Sequence, residues 1–363
     1  MKPRTIYRLV GKGIIFSLLV LINCKDPINL PGEGSIGILV IDGKVTTQPG
    51  PYYVRLGYTV GLSQKPSPIL LATVFLVDDD TGLTEQYLES EPGVYSVPGS
   101  TIQGTAGHSY HVAVTLPNGK SYASKSEKIP DATGIDVSSY DFGTRSDFIG
   151  ETEVQKNVIN IYTDTQLPAG ENDSYYLRWN VSETYVFEQT PIPNPLTGGI
   201  PRPCYVDGYS DPQRITLFTT QNQELQSLKH TLVAQRDLDY TFLARHYFTI
   251  YLSSTTLESY KYFKNVNELI NRSGSIFDTP PAPIIGNVYS VTDSEEKVFG
   301  YFEATNTSLT RFFTLRGNIP VSLAPYCNDP SVGIYWPGYP KECHFCLGLS
   351  NSSDVPPNWW PTD

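Results

Sequence analysis

His111-Val112-Ala113-Val114-Thr115-Leu116, Pro117-Asn118-Gly119, Lys120-Ser121-Tyr122-Ala123 reads as two strands folded about a tight turn. Branched and aromatic residues alternate with small or polar ones, which gives each strand one apolar face, and Asn118-Gly119 supplies the positive φ angles of a hairpin turn. Outward from this hairpin, short turn-bounded segments of the same kind fall at 38–47, 51–60, 72–78, 84–89, 93–97, 108–116 and 120–128. That spacing is expected of a β-sandwich. Composition agrees, because 25 Tyr, 29 Gly and 29 Pro against a single Met favour strands and turns over helices. An all-β chain is expected, with its first sandwich domain over residues 36–130.

The pattern breaks at Pro130-Asp131-Ala132-Thr133-Gly134, and a second strand-rich series starts near Val158. Strands are expected at 158–164, 174–187, 214–220, 230–236 and 246–254, within a second β-rich, sandwich-like domain over 131–363. Residues 189–212 hold six prolines and three glycines and read as a long irregular loop. One helix is expected at about 257–272: Thr255 and Glu258 have capping-box spacing, and Tyr260, Phe263, Val266, Leu269 and Ile270 form an apolar stripe. A stripe of this kind packs on the chain's own sheet more readily than on a partner. Gly274 is a suitable stop. A hairpin is then expected between Val298-Phe299-Gly300-Tyr301-Phe302 and Thr310-Arg311-Phe312-Phe313-Thr314-Leu315.

The first residues carry a different message. Lys2, Arg4, Arg8 and Lys12 precede a short apolar run, Gly13 to Ile22, which is too brief to span a bilayer. Residues 1–23 are expected to be a signal peptide, since Leu21-Ile22-Asn23-Cys24 resembles the bacterial lipobox, whose cysteine receives the lipid. Cys24 would then be the acylated, palmitate-bearing first residue of the mature chain, on a tether over 24–35. Lys25-Asp26 resembles the short export tag that sends some lipoproteins to the cell surface. An outer-membrane location facing the exterior is expected. Removing residues 1–23, which hold four basic and no acidic side chains, takes the formal net charge from −11 to −15. Such a surface repels nucleic acid.

Cys204, Cys327, Cys343 and Cys346 are even in number and expected in an oxidising compartment, so they are disulfide candidates with three pairings open. Cys343-x-x-Cys346 with His344 also invites zinc or redox chemistry, yet the surrounding Gly338, Pro340, Gly348 and Pro356 argue for a loop stapled by disulfides. Asp78-Asp79-Asp80 invites calcium, but no spaced oxygen ligands follow, and a solvated hairpin tip explains it. His108 and His111, three apart on a strand, face opposite sides. Searches for G-x-S-x-G, H-E-x-x-H and G-x-x-x-x-G-K-[ST] find nothing, and Gly32, Gly34 and Gly37 fit a literal G-x-G-x-x-G in the wrong context. No catalytic residue, metal or cofactor is expected. Trp359 and Trp360 either anchor a partner or fold back on a sheet edge.

Tyr260-Lys261-Tyr262-Phe263, Ile276-Phe277-Asp278, Gly286-Asn287, Val298-Phe299-Gly300-Tyr301-Phe302 and Leu39-Val40-Ile41-Asp42-Gly43 occur in an order that resembles the bacterial lipoprotein family called domain of unknown function 4249. Cys343-His344-Phe345-Cys346 and Pro356-Pro357-Asn358-Trp359-Trp360 extend the likeness. Tyr205 stands where the family often has Trp. The resemblance implies an N-terminal immunoglobulin- or transthyretin-like module and a non-enzymatic accessory or binding component of a TonB-dependent transport system, partnered by an outer-membrane receptor. The alternative is a surface assembly or adhesion protein that binds another macromolecule without a transporter.

Overall fold

The computed structural model describes residues 37–60, 67–150, 152–168, 174–187, 203–211, 214–223, 225–271, 284–327, 340–343 and 345–361. Nine strands come first: β1 (Leu39–Thr46), β2 (Tyr52–Tyr58), β3 (Ser67–Pro68), β4 (Thr73–Asp78), β5 (Thr84–Glu91), β6 (Val94–Val97), β7 (Ser109–Thr115), β8 (Ser121–Ser124) and β9 (Glu127–Lys128). The hairpin at 117–119 joins β7 to β8 in antiparallel register. Burial alternates as the sequence does: Leu39, Ile41 and Val45 of β1 and Tyr52, Val54 and Leu56 of β2 enter the core. Their neighbours Asp42, Lys44, Tyr53 and Arg55 must then point the other way.

Residues 36–130 do not complete this core alone. Val288, Val298, Phe302 and Ala304 belong to the same buried cluster. They arrive late in the chain, after β10 (Ile135–Ile149), β11 (Thr152–Gln166), β12 (Tyr176–Phe187), β13 (Cys204–Tyr209), β14 (Thr216–Thr219), β15 (Ser227–Asp237), β16 (His246–Thr255) and the helix α1 (Leu257–Ile270). Then come β17 (Val288–Ser290), β18 (Val298–Phe299), β19 (Phe302–Thr314) and β20 (Ser352–Ser353).

The second lobe is also two-layered. One sheet runs β13 and β14, β12, β16, β19, the other is β10, β11, β15. Ile159, Ile161, Val233 and Ala234 of the smaller sheet pack on Leu177, Trp179, Phe248, Ile250 and Leu252 of the larger. The protein is all-β with a single α-helix among the described residues.

β19 links the lobes. Phe302 to Thr305 pair in parallel with β1, and Asn306 to Thr314 pair antiparallel with β16. In place of the expected hairpin between 298–302 and 310–315, Phe302 to Thr314 is one continuous strand that follows the short β18. On either side of Asn306 the strand finds partners at once, so backbone hydrogen bonding is satisfied without a reversal. Gly300 makes the approach feasible: its φ is +102°, and a Cβ there would lie 2.0 Å from the Ile41 carbonyl oxygen.

Three further differences have local causes. The 15-residue strand β10 falls between the expected break at 130–134 and Val158, where no strand was expected, since its Asp, Ser, Gly and Arg residues hide the alternation that the β11 partner rescues. Within 189–212, Cys204–Tyr209 is a strand held by β12, while 188–202 and 212 lie outside the described residues. The helix cap is Thr256 rather than Thr255: the Thr256 hydroxyl accepts from the Ser259 N–H at 3.1 Å, whereas Thr255 still belongs to β16. Of the apolar stripe, Tyr260, Phe263 and Val266 are half-buried, and Leu269 and Ile270 are exposed.

Candidate functional site

A cleft of about 650 Å³ opens beside the crossing strand, lined from the first lobe by the outward residues of β1 and β2 and from the second by β12, β13 and β16. At its base sits Glu303, 2% exposed, one residue into β19 where the strand leaves Gly300. Its Oε2 accepts from Arg178 Nη2 and stands 3.8 Å from Lys44 Nζ, while its Oε1 accepts from Thr255 Oγ1 at 3.2 Å and Ser259 Oγ at 2.9 Å. Burial alone would push this carboxyl up; Arg178 and Lys44 outweigh it and hold Glu303 below the ordinary carboxylate range. Arg178 also donates to Asn180 Oδ1 at 3.2 Å and lays its guanidinium 3.9 Å from the centre of the Phe263 ring on α1.

Lys44 behaves differently. Its Nζ donates to Ser253 Oγ at 3.0 Å, and 31% of the side chain remains exposed. Desolvation lowers its amine to about 8 against the pull of Glu303. Asp42, two residues earlier on the same face, keeps contact with solvent, yet the crowding of the cleft walls raises its carboxyl against the effect of Arg55, its direct cross-strand neighbour.

A second polar network fixes the frame. Glu127 is buried, and its Oε1 accepts from the Tyr301 hydroxyl at 2.6 Å and Asn287 Nδ2 at 3.2 Å, its Oε2 from the Thr256 hydroxyl at 2.7 Å. Asn287 in turn bonds both backbone groups of Phe302 at 2.8 Å. The Gly286-Asn287 and Gly300-Tyr301-Phe302 motifs thus clamp the start of β19 and the cap of α1, the two elements that supply Glu303 and Phe263.

Elsewhere the charges serve structure. A more open depression holds Arg236, which pairs with Glu183 at 3.0 Å and Asp239 at 3.0 Å, and Arg145, which pairs with Asp147 at 2.9 Å and Asp237 at 2.8 Å. His246 is fully buried between Phe242 and Phe248 and reaches Glu183 at 3.3 Å. Desolvation would raise Glu183, but His246 and Arg236 hold it low. Ligand atoms of Asp78, Asp80 and His108 lie within 4.8 Å of one another. Asp78 is buried, with Oδ1 accepting the N–H groups of Asp80 and Thr81 and Oδ2 facing His108 Nδ1 at 3.1 Å. Its carboxylate is spent on closing the hairpin. His111 binds Asp79 at 2.6 Å, and both histidines, each beside a carboxylate, stay partly exposed.

The four cysteines meet in two pairs, Cys204 with Cys346 and Cys327 with Cys343, inside a small cluster with Tyr185, Phe187 and Val206. Trp359 and Trp360 are half-buried on the sheet: Tyr247 lies 5.2 and 4.7 Å from their ring centres, Tyr205 lies 4.9 Å from Trp360, and Arg311 stacks on Trp359 at 4.2 Å. Cys24, Lys25, Asp26, Gly274 and His344 lie outside the described residues. The residues that build the cleft, Lys44, Arg55, Arg178 and Glu303, carried no motif. The available signal was Glu303 itself, a carboxylate set between Phe302 and Ala304 in an otherwise apolar and threonine-rich strand.

The family profile described as Domain of unknown function (DUF4249) matches residues 25–311. It takes in every cleft residue up to Thr307 and stops before the cysteine and tryptophan motifs of the C-terminal region. Comparison with curated proteins and with solved structures gives no match.

Proposed function

The chain belongs to the DUF4249 family, and from that premise we propose that it is a lipid-anchored outer-membrane protein, exposed at the cell surface, that acts as a non-enzymatic binding component of a TonB-dependent transport system. The observation that carries the reading is the cleft at the β19 crossing. It is of ligand size, and its exposed tyrosines and partly exposed cations sit on strands rather than loops. Cys24 would tether the domain to lipid and Lys25-Asp26 would direct it outward. The cleft would capture a ligand and a β-barrel receptor would take it up.

Purification of the full lipidated chain in native detergent tests this. A TonB-dependent receptor should come with it in stoichiometric amount, and a chain that repeatedly arrives without any β-barrel partner would sink the idea.

One observation favours a surface-assembly role without a transporter. Among the described residues the edge strand β10 pairs only with β11, and Phe148 and Ile149 at the end of that long hairpin are exposed. Deleting the receptor would leave the phenotype of such a protein unchanged.

A further inference from the structure

The groups left free in the cleft are of two kinds. Lys44 uses one N–H on Ser253 and shares Glu303 with Arg178. Arg55 is exposed, and its side chain makes no hydrogen bond or ion pair among the described residues. Arg178 is 8% exposed, and its Nε has no hydrogen-bond partner although the side chain lines the cleft. These donors stand on a chain whose overall charge is −11. Asp42 and Asp207 are exposed acceptors on the same walls, and Asp207 already accepts the Thr184 hydroxyl on Oδ1 at 2.5 Å. Between the two kinds lie aromatic faces, Tyr53 from the first lobe at 42% exposure and Tyr209 from the second at 63%.

We propose that the cleft binds an acidic saccharide, with the uronate carboxylate on Lys44 and Arg55, sugar hydroxyls donating to Asp42 and Asp207, and a ring face against Tyr53 or Tyr209. The proposal deepens the reading of the cleft as a capture site and rests on it. Alternatives use the groups less well. A simple inorganic anion would engage the cations but leave the tyrosine faces bare and the Asp42 and Asp207 acceptors unused. A neutral glycan would bring no anionic acceptor to Lys44 and Arg55, which face only the protein's own Glu303 and Asp42. An acidic peptide would bring carboxylates without the array of hydroxyl donors that Asp42 and Asp207 accept from.

The charged and titratable groups around Lys44 are Asp42 on its own strand, Arg55 from β2, Arg178 from β12, Tyr251 from β16, and Tyr301 and Glu303 at the start of β19. Burial lowers the Lys44 amine to about 8, so its charge, and with it the hold on a carboxylate, should fade as the pH rises through that value. A guanidinium in its place stays charged.

The test is isothermal titration of the full chain with trigalacturonate and with its methyl ester, which has the same shape and no charge. The acid should bind at least about tenfold more tightly than the ester, and Arg55→Gln should weaken the acid by about tenfold, the size of one charge-assisted hydrogen bond. Affinity should drop above pH 8 in the native chain and not in Lys44→Arg. Equal binding of acid and ester overturns the acidic class and leaves the capture reading standing. No binding of either at millimolar concentration overturns the saccharide assignment. Loss of the receptor in co-purification with acid binding intact would count only against the transporter.

Discussion

Replacing Glu303 with alanine is expected to lower the unfolding free energy by about 3–5 kcal/mol, the usual cost of removing one partner from a buried ion pair. The charge lost is the counter-ion of Arg178 and of the nearby Lys44 amine, and two more groups go unsatisfied: the Thr255 and Ser259 hydroxyls, both buried, lose their shared acceptor. Urea unfolding would read the loss as a lower midpoint at an unchanged slope. Replacing Glu303 and Arg178 together by methionine should recover much of it, because no uncompensated Arg178 charge then remains. The pH dependence follows from sign. Glu303 titrates below its ordinary 4.5 in the folded chain, so its contribution is complete above that pH and disappears as pH falls through the lowered native value. The difference between native chain and variant should shrink in that acid window. A loss under about 1 kcal/mol at neutral pH would mean that the ion cluster does not hold the base of the cleft together.

The second large effect concerns the cysteines. Cys204–Cys346 spans 142 residues and Cys327–Cys343 spans 16. On chain-entropy grounds a loop of about 15 residues contributes roughly 3 kcal/mol and one of about 100 residues nearly 5 kcal/mol, so the long link should matter more. Replacing Cys204 and Cys346 by alanine is expected to cost about 2–5 kcal/mol, above the loss for the Cys327 and Cys343 pair, in the same unfolding experiment. The position matters as well as the span. Cys204 opens β13, whose far end carries Asp207, Gly208 and Tyr209 into the cleft wall, and β13 is covered on its outer edge by β20. Equal losses from the two pairs would contradict the assignment of the long link as the main staple.

Much of the fold was legible because it rests on local alternation. The strands from Leu39 to Ser124 follow the apolar period of two, with Asn118-Gly119 closing the clearest hairpin, and the helix was marked by its stripe and its threonine start. What escaped was non-local. β10 is polar on much of its length and is a strand because β11 lies beside it. β19 takes its partners from residues more than 200 positions earlier and about 60 positions earlier, which no window of sequence displays. The cleft is less legible for the same reason. Lys44, Arg178 and Glu303 each look like a solvated residue on a half-buried strand, and only the passage of β19 from one lobe to the other brings them together. The motifs that mark the family, Gly286-Asn287 and Gly300-Tyr301-Phe302, clamp that passage through their bonds to Glu127 and to each other.

The proposed capture role rests on the cleft as the place where a ligand is held. Its most direct test is a crystal structure of the chain with trigalacturonate at saturating concentration. A carboxylate within hydrogen-bond reach of Lys44 Nζ and the Arg55 guanidinium, with a sugar ring on Tyr53 or Tyr209, is the predicted result. A cleft left empty while the saccharide occupies another surface, or none, would contradict it.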